Sequence, residues 1–178
     1  MKKDINVFEY GTEILQALQK GVLLTTKADG FVNTMTISWG GMGIEWGKPI
    51  FTVYVRESRF TKGQLAKNPE FTINIPHGNF DQKILGLCGT KSGRDTDKIK
   101  EAGLTPEAPS VISVPGFREL PLTLECRVIY QQAQDPQAIS PADTEKFYPQ
   151  NVDGSFHGAN RDYHTAYYGE IVSAYIIE

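Results

Sequence analysis

Neither sign of charge is in excess in this chain: 18 Lys and Arg against 21 Asp and Glu leave a formal net charge of −3 over 178 residues. A chain so balanced lacks the cationic stripe that grips a nucleic-acid backbone, and with 40% hydrophobic residues it is not expected to be disordered. Cysteine is scarce. Cys88 and Cys126 form no CxxC pair, so neither a disulfide framework nor a dithiol redox motif is expected, and both read as inert thiols. The three histidines, His77, His157 and His164, have no metal-ligand spacing, and Asp95 with Asp97 lacks the rest of a calcium loop, so no metal site is expected. Long apolar runs are missing as well. No stretch approaches the roughly 20 residues of a membrane span, and Met1-Lys2-Lys3-Asp4 leads into an acidic amphipathic segment, so a cytoplasmic protein is expected. Gly41-Met42-Gly43 begins like a dinucleotide fingerprint, but Trp46 stands at its third glycine position; Lys91-Ser92 follows Thr90 rather than glycine. Neither a Rossmann site nor a phosphate-binding P-loop is expected. What remains is a small-molecule partner or a second copy of the chain.

What is present is a series of short alternating segments. Residues 6–20 carry Phe8, Ile14, Leu15 and Leu18 at helical spacing, with Asn6 and Glu9 placed as a capping box and Gly21 as a stop. Segments 22–27 and 31–39 flank Ala28-Asp29-Gly30, whose Asp-Gly tolerates the positive φ of a tight turn, so a hairpin is expected. Pro49 opens a strand in which Phe51, Val53 and Val55 alternate inward. Thr61 is placed to cap a short helix running to Asn68, and a strand follows at 71–75. Helices are expected at 80–87 and 96–102, a polar loop at 88–95, and strands at 122–130 and 166–177 with a short helix begun by Ser140 between them. Six or seven hairpin-linked strands with short helices predict a mainly β antiparallel barrel, in one domain over residues 1–178.

The hairpin's second arm, Asn33-Thr34-Met35-Thr36-Ile37-Ser38-Trp39-Gly40, places three hydroxyls in register. Alternation puts Thr34, Thr36 and Ser38 on one face and Asn33, Met35, Ile37 and Trp39 on the other. Such a face is either solvated or a wall of small donors and acceptors for a flat, heteroatom-rich ligand. Farther on, Arg56, Ser58, Arg59 and Thr61 combine two guanidinium forks, hydroxyls and a helix N-terminus, which suits a phosphate monoester or simply a solvated corner. The loop Lys91-Ser92-Gly93-Arg94-Asp95 is likewise either solvated or a cationic flap that reaches an anion. No nucleophile and base stand together for hydrolysis.

In order and spacing, these pieces resemble the flavin reductase-like family of FMN-binding split barrels, in its flavoredoxin-like branch. The resemblance is carried by the hydroxyl strand, by Arg56-Glu57-Ser58-Arg59-Phe60-Thr61 with Phe71-Thr72-Ile73-Asn74-Ile75, by Cys88-Gly89-Thr90-Lys91-Ser92-Gly93-Arg94-Asp95 with Asp97-Lys98, and by His164-Thr165-Ala166-Tyr167-Tyr168-Gly169-Glu170-Ile171. It implies a six-stranded antiparallel split β-barrel with short flanking helices, a homodimer, and one FMN per subunit. Asn33, Thr34, Met35, Thr36, Ser38 and Trp39 would then lie along the isoalloxazine. Ser58, Arg59 and Thr61 would hold the phosphate with Arg56 close by, and the loop carrying Cys88, Lys91 and Ser92 would approach the flavin or its phosphate tail. His164 is a candidate on the acceptor side. The activity so implied is an FMN oxidoreductase that takes electrons from NAD(P)H to free flavin, ferric chelate or another acceptor. An electron-transfer flavoprotein without NAD(P)H activity and a flavin-free binding barrel are the alternatives.

Overall fold

The computed structural model describes residues 1–153 and 160–178; His157 lies outside the described residues. In chain order the strands are Lys2–Asp4 (β1), Val22–Ala28 (β2), Phe31–Ile37 (β3), Gly40–Glu45 (β4), Lys48–Arg56 (β5), Glu70–Ile75 (β6), Pro106–Glu107 (β7), Gly116–Phe117 (β8), Leu122–Ala133 (β9) and His164–Ile177 (β10). The helices are Gly11–Lys20 (α1), Phe60–Lys67 (α2), Lys83–Thr90 (α3), Lys98–Glu101 (α4) and Pro141–Phe147 (α5). The fold is mainly β, as expected, and its main sheet is antiparallel throughout, in the order β3-β2-β6-β9-β10-β5-β4 with β1 added to the far end of β10. That sheet has eight strands rather than six or seven. The unforeseen β4 is glycine-rich and carries a weak strand signal. Gly40 is nonetheless required there, because a Cβ would stand 2.6 Å from the Thr52 carbonyl oxygen across the β4–β5 pair. Trp46 and Gly47, at φ 50° and 72°, make the turn of that hairpin, and Asp29 with Gly30 (φ 52° and 79°) make the one foreseen between β2 and β3.

The barrel interior is filled by Ile14 and Leu18 of α1 against Leu24, Phe51, Val53, Phe71, Ile73 and Leu124. Each side chain of this size contributes about 1.5–3 kcal/mol when fully buried. Phe8, expected on that helix's core face, stays exposed because residues 7–10 form a separate 3-10 turn capped by Asn6 and α1 proper starts only at Gly11; Leu15, inside α1, is exposed as well, beside the Ile14 and Leu18 that face the core. A second, outer cluster joins Leu23, Ile84, Cys88, Leu104, Phe117 and Leu120. It seats α3 and the 104–120 segment on the outside of β2 and β3, so this part of the sheet is covered on both faces. Among the described residues β3 pairs only with β2, and its other backbone edge has no strand partner there.

Boundaries differ where polar side chains decide them. Asp81 Oδ1 accepts the Lys83 N–H at 2.9 Å and α3 runs on to Thr90, so Cys88, Gly89 and Thr90 are helical instead of loop. Asp97 Oδ1 accepts from the Lys100 N–H at 3.1 Å, which starts α4 at Lys98. Thr61 is not the cap of α2: Arg59 occupies that position, and Thr61 sits inside the first turn. Among the described residues no helix is long and apolar enough to cross a membrane.

Candidate functional site

Two adjoining cavities open where the free edge of β3 meets the start of α2, the 91–94 loop and the start of β10. The first, of about 70 Å³, is lined by Asn33, Met35, Thr36, Ser58, Arg59, Phe60, Thr61, Cys88, Lys91, Ser92, Gly93, Arg94 and Lys98 among others. Four of these are cations and none is an acid. The second, of about 160 Å³, is lined by Met35, Thr36, Ile37, Ser38, Trp39, Tyr54, Arg56, Arg59 and His164. Met35, Thr36 and Arg59 belong to both. Every candidate residue from the sequence except Thr34 therefore comes together here.

The hydroxyl strand contributes differently from expectation. Thr34 is fully buried on the outer side of the sheet, where its Oγ1 lies 2.9 Å from Thr25 Oγ1. Thr25 in turn donates to Asn74 Oδ1 at 3.2 Å, within a sealed network that includes Thr72 and Thr123. Thr36 Oγ1 donates to the Leu85 carbonyl of α3 at 2.7 Å. Both hydroxyls are thus engaged by the protein, and what β3 offers the cavities is its unpaired backbone edge with the Asn33, Met35, Ser38 and Trp39 side chains. Asn33 is held by donation from its Nδ2 to Thr61 Oγ1 at 3.1 Å, and Thr61 Oγ1 lies 3.2 Å from Met35 Sδ.

At the α2 corner the Ser58 N–H donates to Asp162 Oδ2 at 2.6 Å. Burial pushes the Asp162 carboxyl up, but the Ser58 bonds and the Arg56 charge hold it below its ordinary range. An anionic oxygen is therefore already accommodated at this corner, in the manner a phosphate oxygen requires. Arg56, expected close by the phosphate, lines the second cavity and not the first. Its guanidinium is buried and gives Nη1 to the Asn160 and Asp162 carbonyls at 3.1 and 2.6 Å and Nη2 to the Phe147 carbonyl at 3.0 Å, so it ties β5 to the end of α5 and to residues 160–162. Arg59 caps the corner on the cavity side, where burial lowers its pKa while Asp162 raises it.

In the loop, Lys91 is paired with Glu101 on its outer side, which leaves less of its charge for a ligand. Arg94 and Lys98 are the stronger contributors. Arg94 Nη1 donates to the Ser58 carbonyl at 3.0 Å and its guanidinium lies over the Phe60 ring, which joins loop to corner. Lys98 is 5% exposed, with Nζ 3.3 Å from the Cys88 carbonyl; burial first, and the Arg59 charge after it, bring its pKa down to about 8. A buried ammonium beside the Arg59 charge is a donor suited to an anionic ligand. Cys88 itself, with its thiol pushed up to about 11 by burial, is inert packing on the cavity wall.

A model of the flavin reductase like domain matches residues 17–178 of this chain. The chain belongs to that family. The flavin reductase like barrel has solved counterparts: flavoredoxin from Methanosarcina acetivorans is 24% identical, with 89% of this chain and 68% of that one covered and a TM-score of 0.64. An FMN-binding domain of a flavin reductases-like enzyme from Shewanella baltica OS155 is 15% identical, with 99% and 77% covered and a TM-score of 0.65. At these identities the likeness is one of fold. An uncharacterized protein of Archaeoglobus fulgidus is 28% identical over 97 residues, so the chain spans about half the length of the curated relative it matches.

In this flavin reductase like chain, Arg94 stands on the cavity as the cationic flap alternative had it, whereas Lys98, Phe60 and Tyr54 are cavity residues that the sequence did not single out. Lys98 follows the helix cap Asp97 in a run of charged residues, where nothing local marks it as buried. Gly93 shows how tightly the loop closes: a Cβ there would stand 2.1 Å from Asn33 Oδ1 and 3.0 Å from Phe60 Cδ1. Gly93→Ala is expected to leave the thermal midpoint within a few degrees while displacing the loop from Asn33. By an overpacking cost of about 1–3 kcal/mol, FMN affinity falls at least about fivefold. Fluorescence titration beside a melting curve checks it, and unchanged affinity would show that the loop takes no part in binding.

Proposed function

We propose that the protein is an FMN-binding oxidoreductase that passes reducing equivalents from NAD(P)H, through flavin, to free flavin, a ferric chelate or another acceptor. The observation that carries this reading is the first cavity, a space the size of a phosphate group whose lining carries Arg59, Lys91, Arg94 and Lys98 and no acid, with Asp162 and Glu101 behind that lining on Ser58 and Lys91. Ser58, Arg59, Thr61, Ser92, Arg94 and Lys98 would hold the phosphate, and Asn33, Met35, Ser38, Trp39 and the β3 backbone edge would receive the ring. When bound, FMN supplies two-electron chemistry between a nicotinamide donor and the acceptor. Neither cavity encloses a tricyclic ring by itself, since pockets that do so run to several hundred Å³. A second copy of the chain supplies the missing wall in this reading. An exposed aromatic surface supports it: Trp46 and Ile44 are 67% and 69% exposed, Trp46 packs edge-on to Tyr130, and Tyr130 leans on Tyr168.

The test is a titration of the purified chain with FMN followed by flavin fluorescence, with sedimentation to count subunits and anaerobic mixing of the loaded protein with NADH or NADPH. Saturable FMN uptake and bleaching by either nucleotide are expected. No uptake sinks the reading. Uptake without bleaching by either nucleotide leaves the electron-transfer flavoprotein that the likeness to flavoredoxin favours.

A further inference from the structure

The start of β10 carries a hydrogen-bond circuit that none of the roles above requires. His164 is buried on the wall of the second cavity, with Nδ1 2.9 Å from the Tyr148 hydroxyl. Tyr148 in turn lies 2.9 Å from Gln134 Oε1, and the His164 backbone N–H lies 3.0 Å from the same oxygen. The direction of each bond follows from what each group is able to do. A backbone N–H only donates, so the Gln134 atom it faces is the carbonyl oxygen. That oxygen only accepts, so the Tyr148 proton is directed to it. Having given its one proton away, the Tyr148 oxygen only accepts from His164, and Nδ1 therefore carries the ring hydrogen. Nothing in the circuit is loose: Tyr148 is buried, stacked on Tyr163 at 4.8 Å, and covered by the Arg56 guanidinium at 5.0 Å. With Nδ1 turned to Tyr148, Nε2 is on the opposite side of the ring, and no described residue bonds it.

We propose that Gln134 and Tyr148 lock His164 in its Nδ1–H tautomer, so that the second cavity recognises the N–H or O–H edge of a flat ring through Nε2 as acceptor. Gln134 and Tyr148 are positioning residues; His164 makes the contact. The charges around it keep the ring neutral: burial first, then Arg56 and Arg59, outweigh Asp162 and Glu57 and bring its pKa down to about 4. A neutral imidazole in this tautomer neither donates from Nε2 nor acts there as an acid. Trp39, 5.3 Å away by ring centroids and itself edge-on to Phe147, supplies the flat apolar surface beside the acceptor. The ligand class is thus an aromatic ring with an amide or hydroxyl donor at its rim. This deepens the FMN reading, on which it rests only for the identity of the ring: the flavin's own amide edge, or a second reactant that carries a carboxamide.

The test uses the whole chain with 15N-labelled histidine. His164 is expected to show a pyrrole-type Nδ1 and a pyridine-type Nε2, unchanged from about pH 5.5 to 8. A protonated Nε2, or a mixture of tautomers, overturns the proposal. Gln134→Leu releases the Tyr148 proton toward His164 and is expected to flip the tautomer, whereas Gln134→Glu keeps an acceptor in place and preserves it. Should the leucine variant fail to fold, matched probes decide on the wild-type chain. Benzamide and acetophenone differ by an NH2 for a CH3, and benzamide is expected to bind about two- to tenfold tighter. Equal affinities overturn the proposal. Repeating the pair on FMN-loaded protein identifies the source: a preference that persists assigns the acceptor to a second reactant, and one that vanishes as FMN shifts Nε2 assigns it to the flavin. The tautomer and the probe pair are read without FMN, so a failure of FMN binding is distinguishable from a failure here.

Discussion

Arg59→Ala is expected to weaken FMN about 10- to 100-fold while leaving riboflavin within about twofold. The reasoning is one of charge. Arg59 walls both cavities at the N-terminal end of α2, and a guanidinium held on a phosphate contributes about 1.5–3 kcal/mol through charge-assisted bonds. Riboflavin lacks the phosphate and so loses only packing. Two comparisons sharpen the result. Arg59→Lys is expected to recover part of the loss, because an ammonium restores the charge without the planar fork. Lys91→Ala is expected to cost less than Arg59→Ala, because Glu101 already engages that charge. Parallel fluorescence titrations with the two flavins read all of this, and equal losses for FMN and riboflavin would put the phosphate somewhere else.

The fold and the site were not equally legible in the sequence, and particular residues show why. The β2–β3 turn was plain because Asp29 and Gly30 both need positive φ, which few other pairs supply as easily. The clustering of Ser58, Arg59, Lys91 and Ser92 was legible through the resemblance and the spacing of the corner. Thr34 misled. Period-two alternation tells which residues share a face but not which face another segment covers, and here α3 and the 104–120 segment cover the hydroxyl side. The engagement of Arg56 was hidden for a related reason: its partners are the carbonyls of Phe147, Asn160 and Asp162, 91 to 106 positions away, and nothing local announces them. Tyr148 and Gln134 were invisible as positioning residues because their role is a circuit of three bonds across separate elements. Strand β4 was hidden by its glycines, of which Gly40 is the one whose lack of a side chain lets the Thr52 carbonyl come close.

The covered outer face also makes the largest stability prediction. Glu125 of β9 alternates with the core residues Leu124 and Cys126 and reads from sequence as a polar, outward position, yet it is fully buried. Its carboxylate accepts three backbone N–H groups, from Ser110 at 2.6 Å, Val111 at 2.7 Å and Ile112 at 3.1 Å. Glu70 holds the next residue of the same segment, accepting the Ser113 N–H at 2.8 Å and its hydroxyl at 2.7 Å. These two acids pin residues 110–113 so that the following Pro115 carbonyl receives Thr72 Oγ1 at 2.8 Å and Gly116 lies against Thr123 and Asn74. The network that contains Thr34 is sealed from water only while this segment stays down. Removing the Glu125 carboxylate strands three amide donors and opens a buried polar layer at once. Glu125→Ala is therefore expected to lose about 3–5 kcal/mol, with a thermal midpoint lower by roughly 6–20 °C. Glu125→Gln retains one acceptor but turns an NH2 toward N–H groups, and falls between. Because Glu70 holds one residue of the segment, Ser113, pairs with the half-exposed Arg127 at 3.5 Å and is itself partly exposed, Glu70→Ala is expected to cost about 1–2 kcal/mol. Denaturant melts rank the three variants, and a Glu125→Ala loss no larger than that of Glu70→Ala would show that the segment is not held by the buried carboxylate. FMN affinity of the folded fraction is expected to stay within about threefold for all three, since none of residues 110–116 lines either cavity.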